Sequence, residues 1–292
     1  MTKRQRLLRK ARAGGRAAQF DLAEEYDFTP PKDRRRAVYW YRKAAEQGHA
    51  DAQNSLGECL RDGAGCQKSQ KEAVRWFRLA AEQGESFAGV SLGFALFYGE
   101  GTRRNRVEAL KWYRRAARQG NSTAELNIGH MYRKGHIVAQ SWNQAIRWYE
   151  RAAEDGNVAA MHWLGRIFGG HEKHPVDLDR AVKWLKSAAK GDDAQSLCDL
   201  GVHYITGEGV SENDEKGAAL YRRSADLGDE WACYLLGLCY RDGTGVRRNR
   251  RWARRWFLKA KSMGVKEAVV ALNKLRQSSL SAILVQSVIS NE

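Results

Sequence analysis

Apolar and small residues return along this chain every 36 positions. Stepping from Ala37 gives Ala73, Ala109, Ala145, Ala181, Gly217 and Ala253. Stepping from Trp40 gives Trp76, Trp112, Trp148, Trp184, Leu220 and Trp256. The next position reads Tyr41, Phe77, Tyr113, Tyr149, Leu185, Tyr221 and Phe257. Small pairs follow, as in Ala44-Ala45 and Ala80-Ala81, and a glycine closes each unit at positions 48, 84, 120, 156, 191, 228 and 264. A second series keeps the same period: Leu56-Gly57, Leu92-Gly93, Ile128-Gly129, Leu164-Gly165, Leu200-Gly201 and Leu236-Gly237.

Each unit reads as two helices. Ala73, Trp76, Phe77, Ala80 and Ala81 fall at i, i+3, i+4, i+7 and i+8, one apolar stripe at helical period. Gly84 ends that helix, where a left-handed residue closes the last turn. In the helix before it, Ala52, Leu56 and Leu60 form the stripe, and Gly57 lets a partner approach closely. The turn between the two helices carries glycines two apart, as in Gly63 and Gly65 or Gly99 and Gly101. All three prolines (Pro30, Pro31 and Pro175) fall in such turns, where they break no helix. One pair cannot bury its own stripe, so neighbours must stack. The predicted fold is all-α: an α/α-solenoid, a right-handed superhelix of seven helix-turn-helix repeats. The repeats span 17–48, 49–84, 85–120, 121–156, 157–191, 192–228 and 229–264. A basic segment, 1–16, precedes them, and a capping helix with an apolar tail, 265–292, follows.

The recurring pattern, Leu-Gly, then Gly-x-Gly, then Ala-x-x-Trp-Tyr-x-x-Ala-Ala-x-x-Gly, resembles the Sel-one-like repeat (SLR), a relative of the tetratricopeptide repeat. The resemblance covers 17–264. Three positions depart from it: repeat one has the turn DFTPPKDRRR without the glycine pair, repeat five has His171 for a turn glycine, and repeat six has Leu220 for the tryptophan. What the resemblance implies is a scaffold or adaptor for other proteins, with no reaction of its own. It also implies where a partner sits, because in such arrays the first helix of each pair lines a concave groove. The positions so implied include Asn54, Glu58 and Arg61 in repeat two, then Val90, Phe94 and Phe97, preceded by Phe87, in repeat three. They continue as His130 and Arg133 in repeat four, His162 and Arg166 in five, and Tyr234 and Arg241, preceded by Trp231, in seven.

Repeat three stands out within that set. Phe87, Val90, Phe94 and Phe97 make a second apolar stripe beside Ala88, Leu92 and Leu96, which already serve the core. Either superhelical curvature buries it, or it is an exposed patch of the kind that marks interaction sites.

Charge adds a second feature. The 292 residues carry a net +16, and the excess is concentrated. Residues 1–16 hold seven basic side chains and no acid. Residues 247–261 hold eight and no acid: Arg247, Arg248, Arg250, Arg251, Arg254, Arg255, Lys259 and Lys261. The rest of the chain is near neutral. Such a patch suits an acidic protein surface, nucleic acid or an anionic membrane, and a protein partner with an acidic surface is the expected one. Nucleic acid is the weaker reading, since it would want basic residues along one continuous groove with stacking aromatics. The ladder Arg75, Lys111, Arg147, Lys183 and Arg255 reads as a solvated face, offset by i, i+4 partners such as Arg42 with Glu46 and Arg78 with Glu82.

Candidate chemistry is sparse. His171 and His174 lie in a turn and miss the i, i+4 spacing of a helical zinc motif. The five cysteines (59, 66, 198, 233 and 239) follow no repeat phase and read as thiols in a reducing compartment. No catalytic, cofactor or metal site is expected. The first fifteen residues lack the apolar stretch of a secretory signal, and no run reaches membrane-spanning length, so a cytoplasmic protein is expected. The uncharged stretch from Ser278 to Ser290 is expected to dock, on the array's own end near Trp252 or on a second copy, giving a monomer or a homodimer. Within the adaptor class, an immunity or antitoxin-like inhibitor of a toxic enzyme is the alternative reading.

Overall fold

The structure, a computed structural model, describes residues 2–172 and 174–289, with side chains as far as Gln277. Those described residues form sixteen helices and no strand. They divide into two compact units, Met1–Gly156 and Asn157–Glu292. The first unit holds α1 (Lys3–Arg12) and four helix pairs: α2 (Arg16–Phe28) with α3 (Arg34–Glu46), α4 (Ala50–Asp62) with α5 (Gln70–Glu82), α6 (Ser86–Tyr98) with α7 (Arg106–Ala117), and α8 (Ser122–Lys134) with α9 (Trp142–Glu154). The second holds three pairs: α10 (Val158–Phe168) with α11 (Leu178–Lys190), α12 (Ala194–Thr206) with α13 (Asp214–Asp226), and α14 (Glu230–Asp242) with α15 (Arg250–Ser262). The last helix, α16 (Lys266–Ile289), follows them. The side chains of the uncharged tail, and its docking, lie outside the described residues.

A second 36-residue series starts the helices. Asp33, Ser69, Asn105, Ser141, Asp177, Asn213 and Asn249 each cap a second helix, the side-chain oxygen accepting from the backbone N–H three residues on. Such a cap contributes about 1 kcal/mol. The same residues also close the turn. Ser69 donates its backbone N–H to Leu60 O at 2.8 Å, and Asn105 and Asn213 donate theirs to Leu96 O and Tyr204 O at 2.7 Å. One residue thus sets both the start of α5, α7 or α13 and its angle to the helix before.

The core is built from close approach. Tyr41, Phe77, Tyr113, Tyr149 and Phe257 are almost wholly buried. All but Tyr41 pack a ring against the glycine of their own first helix, so that a Cβ on Gly93 would sit 2.6 Å from the Tyr113 ring. The two turn glycines do different jobs. Gly99 takes the left-handed conformation that ends α6 (φ 84°), while a Cβ on Gly101 would overlap the Gln70 carbonyl at the start of the preceding repeat's second helix. The second glycine is therefore where one repeat seats on the last.

Two expectations need correction. Arg42 and Arg78 do not pair within their helices. Arg42 bonds Glu72 and Arg78 bonds Glu108, each at 2.8 Å, in the next repeat. A longer reach across the joint brings the guanidinium to a carboxylate that also begins a helix, where negative charge is favoured. The tryptophan ladder is also not core throughout. Trp40, Trp76, Trp112 and Trp148 are half-buried at its margin. In three repeats the cation three residues on lies over the ring: Arg115 over Trp112 at 5.4 Å, Arg151 over Trp148 at 4.8 Å and Lys259 over Trp256 at 5.0 Å.

The basic segment at the start is an ordered helix. Thr2 and Gln5 form a capping box, and Arg9, Lys10 and Arg12 sit in the last turn, where the helix dipole favours cations. Ala11 is buried, and Gln19 donates its side-chain amide to Ala11 O at 3.1 Å. Gln53 makes the same bond to Ala45 O one repeat later. So α1 stands in the place of a preceding second helix and covers the open side of α2.

Candidate functional site

The aromatic residues of α6 separate into two groups. Phe87, Phe94 and Tyr98 are spaced by seven and four residues, which brings them within about 40° of one another around the helix. They are exposed to 63%, 41% and 59%. The Phe94 and Tyr98 rings touch, with centroids 4.5 Å apart. Val90 and Phe97 lie further round, half-buried against the core. Phe97 is covered by the Arg106 guanidinium at 4.8 Å and meets the edge of His136 at 5.3 Å. The core stripe of the same helix, Ala88, Leu92 and Leu96, is fully buried. Tyr98 escaped the reading of the sequence because its position holds Asp62 in repeat two and Lys134 in repeat four, so no repeat phase marks it.

The flanking repeats in this unit are polar at the same positions. In α4, Arg61 makes a bidentate pair with Asp62 at 2.8 and 2.9 Å, which holds the Asp62 carboxyl below the usual range. In α8, His130 and Arg133 turn inward. His130 lies 2.7 Å from the Tyr149 hydroxyl, and burial depresses its pKa to about 4, so the ring is neutral near pH 7. Arg133 is buried as well. Of the predicted groove residues in this unit, only Phe87 and Phe94 are exposed.

In the second unit, His162 is buried and bonds Asp199 at 3.2 Å across the repeat joint, a structural placement. Arg166 lies half-buried over Trp163 at 5.7 Å. Trp231 is 44% exposed, with its ring 5.1 Å from that of the half-buried Tyr234. Arg241 pairs with Asp242 beside it. The basic residues Arg247, Arg248, Arg250, Arg251, Arg254 and Arg255 are all exposed, in the turn before α15 and along its outer side. Arg255 lies over Trp252 at 4.9 Å, and that indole stacks on Tyr240 with centroids 6.1 Å apart.

Burial pushes the Cys59 thiol up to about 12 and the Cys239 thiol up to about 11, so neither supplies a thiolate near neutral pH. All five cysteines carry thiols. Among the described residues, no group of three His, Cys, Asp or Glu side chains is placed to hold a metal ion, and no helix is long and apolar enough to cross a membrane.

The repeated geometry, an aromatic ring on a glycine, a capped second helix and a glycine seated on the neighbouring repeat, defines an α-solenoid of SLR type. The Sel1 repeat model matches seven segments: 16–49, 50–85, 90–121, 122–157, 158–193, 194–229 and 232–265. The chain belongs to the Sel1 repeat family. Among solved structures it is similar to a protective antigen of uropathogenic Escherichia coli that displays an SLR fold, with 28% identity and a TM-score of 0.81 over 94% of this chain. The chain spans 59% of the length of that protein. It is also similar to a Sel1 repeat protein from Oxalobacter formigenes, with 28% identity and a TM-score of 0.77, covering 85% of this chain and all of that one. Yeast Tom70 shares the fold at 13% identity, with a TM-score of 0.54 over 97% of this chain and 58% of that one. No curated protein sequence matches the chain.

Proposed function

We propose that this protein is a non-enzymatic interaction scaffold that holds a protein partner on the first-helix face of repeat three. One observation carries the reading: Phe87, Phe94 and Tyr98 stand exposed on one side of α6 while the opposite side of the same helix is closed into the core. Exposed aromatic rings in contact are the residues that dominate interface energetics. In the two adjoining repeats the same first-helix positions are polar in α4, and His130 and Arg133 turn inward in α8. The exposed arginines of α15 support an acidic surface on the partner, since unneutralised charge of one sign raises the rate of encounter with the other.

A photo-crosslinking amino acid placed at position 94, and at position 75 on a second helix as control, tests this in cells of the protein's own organism. The expected result is one dominant cross-linked protein at position 94 that is absent at position 75. It should be lost when Phe87→Ala and Tyr98→Ser are added with the fold intact by circular dichroism. Equal cross-linking at both positions, or none at position 94, would refute the assignment.

A further inference from the structure

Leu220 stands where all six other repeats carry tryptophan. The space that an indole fills elsewhere is open here. A recess of about 550 Å³ lies between α11, α12 and α13, with Leu220 and Tyr204 among the residues that line it and Lys186, Lys190, Lys216 and Arg223 around them. That volume falls within the roughly 300–1,000 Å³ of ligand sites. The ammonium groups of Lys186 and Lys216 lie 6.0 and 5.5 Å from the centroid of the Tyr204 ring. Arg223 is the cation three residues on, which covers the indole in repeats three, four and seven. Here it has no ring to cover and instead donates to Asp192 at 2.8 Å.

Shape and charge together specify an occupant. The repeat geometry is a template for an aromatic ring, since Trp148 lies under Arg151 at the same repeat position two repeats earlier in the chain. The rim carries Lys186, Lys190 and Lys216, none of which forms an ion pair with a carboxylate among the described residues. We infer that this recess is a binding site for an aromatic side chain of a partner protein, carried on a peptide segment whose neighbouring residues are acidic. The incoming ring replaces the missing indole against Leu220 and Tyr204, and its flanking carboxylates meet the three lysines. This site lies wholly in the second unit, and it does not rest on the α6 surface.

The test uses the full chain, ¹⁵N-labelled, titrated with an acetylated and amidated peptide holding one tryptophan between two pairs of glutamates. Saturable chemical-shift changes are expected, and the same peptide with alanine for tryptophan should not saturate. Leu220→Trp fills the recess with the chain's own indole. It should raise Tm and weaken the peptide at least tenfold. Lys186→Glu with Lys216→Glu should weaken it at least tenfold with Tm little changed. Peptide binding by Leu220→Trp equal to the parent's, or no saturation by the parent at millimolar peptide, would overturn the site. N-acetyltryptophan binding as tightly as the peptide would overturn the peptide assignment in favour of a small aromatic acid.

Discussion

Two glycines four residues apart in α6 should respond to the same substitution with opposite signs. Alanine at either position gains helix propensity, worth about 1 kcal/mol in a helix interior. At Gly89 the added Cβ meets Ala116 Cβ at 3.6 Å, an ordinary contact, so Gly89→Ala should stabilise by up to about 1 kcal/mol. At Gly93 it would sit 2.6 and 2.9 Å from two carbons of the Tyr113 ring. That ring is 2% exposed, so it has little room to move. Overpacking a closed core costs about 1–3 kcal/mol against a propensity gain of about 1 kcal/mol, so Gly93→Ala should destabilise by up to about 2 kcal/mol net. The two variants should therefore differ by about 1–3 kcal/mol, or roughly 2–12 °C in Tm for a unit of this size. Urea unfolding followed at 222 nm measures both. If Gly93→Ala is as stabilising as Gly89→Ala, the ring does not rest on Gly93. The account of how each pair closes would then be wrong.

Glu125 occupies the repeat position of Gln53, which donates its amide to Ala45 O; one Glu125 oxygen bonds Arg151 at 2.7 Å while the other is buried without a partner. Burial raises its pKa, so the folded chain keeps the proton to higher pH than the unfolded one, and stability falls as pH rises through that raised value. Glu125→Gln should raise Tm at pH 7 by relieving about 1 kcal/mol and flatten this slope, and an unchanged Tm–pH curve would count against it. His130 works in the opposite sense: its pKa of about 4 means that stability falls as pH drops from 6.5 towards 4, at up to about 1.4 kcal/mol per pH unit. His130→Gln should remove that acid sensitivity in urea midpoints measured across the window. Trp112→Ala should cost about 2–3 kcal/mol, less than for a fully buried indole, and split the calorimetric melt into two transitions, because each repeat touches only its neighbours. A single transition like the parent's would show one rigid unit.

The periodic part of this molecule was legible because stacking repeats needs the same contacts at every joint. Alanine, the aromatic after tryptophan and the Leu-Gly pair all report burial, and burial is what a 36-residue rhythm encodes. The caps were equally regular at Asp33, Ser69 and Asn105 but escaped notice, since polar residues in turns are expected on general grounds. The ordered α1 was hidden under six cations, although the Ala11 and Gly14 spacing matches Ala45 and Gly48. Exposure within the first helices was the hard part. Phe94 and His130 share one repeat position, yet one points to solvent and the other bonds Tyr149. A side chain there can turn either way, and its polarity does not decide which. Likewise Leu220 read as a local departure, and only the side chains around it reveal a recess.

The central claim is that the α6 aromatics hold a protein partner. Isothermal titration of the partner captured at position 94 against the parent chain and against a Phe87→Ala, Phe94→Ala, Tyr98→Ser variant tests it most directly. Anchors of this kind typically contribute 2 kcal/mol or more each, so the account predicts an affinity loss of at least about a hundredfold with an unchanged circular dichroism spectrum. An affinity within about threefold of the parent's, on a folded variant, would contradict it.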